Sequence, residues 1–102
     1  MINKHFKLEG NIVYPNDNKI ITWEPIYYNS EELVISNMNN LLTEITKYVR
    51  TISNDETIEP NNITGLVEDH VLFFKINALN DNNEMENCNG TIIYYEIEFE
   101  NQ

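Results

Sequence analysis

Carboxylates are the residues of this sequence whose type and spacing suggest chemistry. Glu96, Glu98 and Glu100 alternate with Ile97 and Phe99 near the end of the chain. In an extended strand, side chains at i and i+2 share a face about 6.6–6.8 Å apart. That is about two steps of the 3.4 Å phosphate repeat along one DNA strand. Carboxylates at this pitch would fit a groove built for a phosphate backbone. Neighbours about 7 Å apart in water repel by about 0.6 kcal/mol, a cost that a basic partner removes. Tyr94 falls on the same strand face and would add an aromatic anchor. Asp81, Glu84 and Glu86 make the preceding 80–90 segment acidic and would extend the surface. The plainer reading is a solvated face whose charges keep the Ile-Ile-Tyr-Tyr run at 92–95 from pairing with other chains.

Other reactive residue types assemble into nothing with usable spacing. Asp81 and Asn83 match the first positions of a calcium loop, but Met85 and Glu86 stand where a ligand and a glycine are required. We therefore expect no metal site. Glu68-Asp69-His70 contains acid–base groups, with Glu68 and His70 on one strand face and Asp69 on the other. No pocket or perturbing neighbour for them is legible in the sequence. His5 has no evident partner, and Cys88 sits in a polar stretch without a base beside it. Asn62-Ile-Thr64 and Asn89-Gly-Thr91 are formal glycosylation sequons, expected by chance in a chain with eighteen asparagines. The expectation is a protein that is not an enzyme and needs no cofactor.

Charge is the most informative bulk property. Seventeen acids face six bases, a net −11. The abundance of Asn, Ile and Tyr resembles the output of an AT-rich genome, which would raise lysine as well; yet lysine occurs only at 4, 7, 19, 47 and 75. The acidity thus reads as selected, for solubility or for binding. It argues against direct contact with nucleic acid or an anionic membrane, both of which need basic patches, and favours a basic partner protein. The first ten residues lack an apolar signal-peptide core, no apolar run approaches a membrane span, and a lone cysteine suits a reducing compartment. These features predict a cytoplasmic protein.

The element that must position these groups lies at 30–52. Val34, Met38, Leu41, Ile45, Tyr48 and Ile52 recur in steps of four and three, widened by Ile35, Leu42 and Val49. This is a helix with one buried face. Ser30, or Asn29 with Glu32, supplies its N-cap; Glu31 and Glu32 suit the positive end of the dipole, and Lys47 and Arg50 the negative end. Before it, 6–14 alternates as a strand with Gly10 as a candidate bulge, Pro15 to Asn18 turns, and 19–28 returns as a second strand. Pro25 would place part of that strand at an edge. After the helix, polar loops at 53–65 and 80–90 separate strands at 66–77 and 91–100. The run at 70–74 is apolar on both faces, which predicts an interior strand.

The sequence therefore predicts a single α+β domain over 1–102. Its order is β-β-α-β-β, a four-stranded, mostly antiparallel sheet with one long amphipathic helix on one face. In size and charge the chain is similar to small intracellular inhibitors, namely phage counter-defence proteins such as anti-CRISPRs and the immunity proteins of nuclease toxins. That likeness shares no motif. It implies a DNA-mimicking acidic surface that docks on a basic, nucleic-acid-processing protein through Glu96, Glu98, Glu100, Tyr94, Asp81, Glu84 and Glu86. The second expectation is a structural module that forms homo-oligomers through the exposed sheet face, with Ile92 and Tyr94 in the interface.

Overall fold

The computed structural model describes residues 2–65 and 70–100, with side chains over 5–65 and 70–98. The helix forms as its periodicity requires, as α1 (Glu31–Ser53). Ser30 caps it, its Oγ accepting from the Leu33 N–H at 3.2 Å. Asn54 ends it in the left-handed conformation, φ 50°, where asparagine is tolerated better than most residues. The buried stripe is Val34, Met38, Leu41, Ile45, Thr46 and Val49. Relative to the sequence expectation it is rotated away from Tyr48 and Ile52, which stay partly exposed. Tyr48 instead meets the edge of Trp23, ring centroids 5.3 Å apart. The other flank of the helix is closed by Ile58, whose carbonyl accepts from Arg50 Nε at 2.8 Å.

The sheet has six strands rather than the expected four: β1 (Ile2–Tyr14), β2 (Lys19–Thr22), β3 (Ile26–Tyr28), β4 (Asn61–Thr64), β5 (Val71–Leu79) and β6 (Met85–Glu100). Their order is β2-β1-β6-β5-β4, with β3 also on β1, and every pairing is antiparallel. The expected strand at 19–28 is split in two by Trp23-Glu24-Pro25. Proline cannot donate to the ladder, and only the Trp23 N–H still reaches β1, at Gly10 O. The polar stretch at 53–65 contributes β4, which pairs with β5 through an irregular register. Residues 85–90, expected as loop, continue β6 as the second arm of a hairpin with β5. As the apolar run at 70–74 predicts, β5 lies inside the sheet, between β6 and β4.

Gly10 is not a bulge, because the β1–β6 register runs unbroken from Ile2↔Glu100 to Val13↔Asn89. Its role is steric. A Cβ there would lie 2.9 Å from Leu41 Cδ2 and 3.1 Å from Ile45 Cδ1, so the missing side chain lets the helix approach the sheet. The core lies between helix and sheet: Leu8, Ile12 and Tyr14 of β1, Leu72, Phe74, Ile76 and Ala78 of β5, and Cys88, Ile92 and Tyr94 of β6, under the helical stripe.

Length mismatch shapes the molecule. At about 1.5 Å per residue α1 is about 34 Å long, whereas sixteen residues of β6 extend about 53 Å. The end of the helix is fixed at one end of β5, where the Leu79 N–H donates to Ser53 Oγ at 3.0 Å. Its start reaches only as far as Tyr94, whose hydroxyl donates to Glu31 Oε2 at 3.2 Å. Beyond Tyr94, β6 and the start of β1 continue past the helix, and the described chain is elongated, 51 × 23 × 20 Å. No helix among the described residues is long and apolar enough to cross a membrane.

Candidate functional site

The alternation of β6 puts Ile92, Tyr94, Glu96 and Glu98 on one face as expected, and the helix packs on that acid-bearing face. Ile92 and Tyr94 are 0% and 1% exposed. They therefore belong to the core and cannot form the exposed interface expected of them. Tyr94 is likewise no surface anchor. Its ring is stacked by His70 at a centroid distance of 4.4 Å and met edge-on by Phe6 at 6.4 Å. Burial, and then the bond to Glu31, push its phenol up to about 12.

Glu96 and Glu98 continue the Tyr94 row past the start of the helix, and both are exposed. They stand opposite Phe6 and Lys4 in the β1 register. Glu100 ends the strand opposite Ile2, and its side chain lies outside the described residues. The first turn of α1 brings Glu31 and Glu32 to the same end. Glu31 accepts from Tyr94 and approaches His70 Nε2 at 3.7 Å. The sequence assigns Glu31 and Glu32 to the helix dipole alone. That they join Glu96 and Glu98 follows from where the helix starts along β6, for which the sequence holds no signal.

Asp81, Glu84 and Glu86 are at the opposite end. Glu86 and Glu96 are separated along β6 by about 33 Å at about 3.3 Å per residue. Glu86 is 7% exposed and braces two turns: Oε1 accepts from the Asn16 N–H at 3.0 Å and Oε2 from Asn80 Nδ2 at 2.9 Å. Asp81 is held by Lys19 at 2.8 Å. Glu84 is exposed while its backbone closes the turn against Asn80. The seven residues that the sequence groups into one surface are thus divided between two ends, and two of them, Tyr94 and Glu86, are buried.

Basic groups stand among the acids at both ends. At the turn end Lys19 sits among them, and beside the helix terminus Arg50 pairs with Glu59 at 2.6 Å. At the helix-start end His70 Nε2 lies 3.7 Å from Glu31, and Lys4 stands opposite Glu98 in the β1 register. Glu68 and Asp69, the other members of the expected acid–base grouping with His70, lie outside the described residues. Among the described residues no set of three or more His, Cys, Asp or Glu side chains is arranged to hold a metal ion. Cys88 is buried, and burial pushes its thiol up to about 12, the reverse of an activated nucleophile. Compared with known protein families, curated proteins and solved structures, the chain matches none.

Proposed function

We propose that this protein is a non-enzymatic inhibitor that docks its helix-start end onto the basic, nucleic-acid-binding groove of a partner protein. The observation that carries this reading is the convergence of Glu31, Glu32, Glu96 and Glu98 on one projecting end. Glu96 and Glu98 lie at about twice the phosphate step, on the part of β6 that runs past the start of the helix. The positive end of the helix dipole steadies the Glu31 and Glu32 charges while the partner is absent. Asp81, Glu84 and Glu86 are left out of this surface. In this role the chain would act like the small acidic counter-defence and immunity proteins that it resembles in size and charge.

The test is charge reversal, with the partner first captured from the native host. Glu96→Lys with Glu98→Lys weakens the complex by about 100-fold, within the range for loss of close interfacial charge pairs. The fold is retained, because both side chains are exposed. Affinity also falls steeply with added salt. Unchanged affinity in the double variant, or a flat salt response, refutes this reading.

A further inference from the structure

Among the described residues no element covers the sheet face away from the helix, and the strand acids avoid it. Among the strand acids with described side chains, all but Glu9, namely Glu86, Glu96 and Glu98, take the helix-side alternation of β6. Glu9 is neutralised in place: Lys7 Nζ lies 3.0 Å from its Oε1, and the Tyr95 hydroxyl donates to the same oxygen at 3.1 Å. Lys7 in turn lies 5.7 Å from the Tyr95 ring centre and 6.0 Å from that of Tyr27. This ion pair holds Glu9 below the usual carboxylate range. Around it, Ile93, Val71 and Phe73 form a continuous apolar surface across β6 and β5, with Phe73 50% exposed. In a chain of net −11, the described charged side chains of the strands on this face, Lys7, Glu9 and Lys75, carry no net negative charge.

We infer that this face is where a second copy of the chain docks, sheet against sheet, with both helices outward. Charge partition selects that occupant. Two copies of a strongly negative chain repel everywhere except across a face emptied of unpaired acids, whereas a basic partner would gain nothing from such emptying. The available area also suffices. The strands, three to sixteen residues long and about 4.8 Å apart, together present roughly 700 Å². A standard interface buries about 800 Å² per partner. A two-fold axis would set the same face of each copy against the other, and aligned sheets pack about 10 Å apart with their inner side chains interdigitated. The inference does not rest on the acidic-end reading, which uses the other face.

Light scattering coupled to size exclusion, over a concentration series, tests it. The expected mass is twice the 12.0 kDa of one chain. Phe73→Asp or Ile93→Asp weakens the dimer at least roughly tenfold while circular dichroism stays unchanged. Leu33→Asp, on the exposed helix surface, leaves it intact. Added salt tightens the dimer by screening the mutual repulsion, opposite in sign to its effect on the basic partner. A monomer at concentrations on the order of 1 mM, or a dimer broken by Leu33→Asp and spared by Phe73→Asp, overturns the inference.

Discussion

Glu86→Ala separates a bracing carboxylate from a binding one. Glu86 accepts from the Asn16 N–H and from Asn80 Nδ2, and with Asn80 it ties the β5–β6 turn to the β1–β2 turn. The two donors fare differently once the carboxylate is gone. Asn16 is exposed, so its N–H turns to water at little cost. Asn80 is 8% exposed, and its Oδ1 is already committed to the N–H groups of Asn82 and Glu84. Its stranded amide N–H costs about 1–3 kcal/mol, and the lost charge-assisted bonds add a similar amount. Relief from burying a carboxylate offsets part of this. The net expectation is a loss of about 2–3 kcal/mol, on the order of 10–20 °C in Tm for a chain of this size. Glu84→Ala, at an exposed side chain, stays within about 0.5 kcal/mol of the parent. Urea denaturation of both variants beside the parent reads the difference directly. If Glu86→Ala unfolds at the same urea concentration as Glu84→Ala, the bracing role is wrong.

Gly90 and Gly10 both face the core, but at different costs. A Cβ at Gly90 would fall within the Phe74 ring, so Gly90→Ala is expected to lose about 2–3 kcal/mol and to be rescued in part by Phe74→Leu. Gly10→Ala meets the flexible ends of Leu41 and Ile45 and costs about 1 kcal/mol, and thermal melts giving the reverse ranking would contradict this packing. Alkali should also unfold the protein. Tyr14, Tyr94 and Cys88 are each raised by burial to about 12, from ordinary values of 10.0, 10.0 and 9.0. The unfolded chain releases these protons first, so stability holds below pH 9 and falls as pH rises toward 12. Urea midpoints should follow that decline, and phenolate absorbance should show Tyr14 and Tyr94 titrating late; titration of these two at their ordinary value of 10.0 in the folded protein would contradict it.

Local chemistry made the helix legible. The recurrence from Val34 to Val49 and the Ser30 cap are both settled within a turn or two of the chain. The alternation of β1 over 6–14 and of β6 over 91–100 was equally plain, as was the apolar run that opens β5. The strand read at 19–28 covers both β2 and β3, and only its break at 23–25 is new. The short strand β4 was not legible: it spans four residues and is held by its neighbour β5, so nothing within 61–64 announces it. The 85–90 stretch is polar enough to pass for loop because Asn87 and Asn89 take the open face, while Glu86 is buried only by virtue of its partners across two turns.

The sequence by itself determined that β6 has two faces, one bearing acids after Tyr94 and the other bearing Ile93, Tyr95 and Ile97. It could not determine which of them the helix covers, because each begins with a comparable apolar pair. Tertiary structure decided this through the pairing of β6 with β1 and β5, which puts Ile92 and Tyr94 in line with Leu8, Leu72 and the helical stripe. It also decided how far the helix reaches, and so which carboxylates are buried under it and which project beyond. The physical reason is range: alternation is set by the pleat at each residue, whereas burial is set by contacts between segments tens of residues apart.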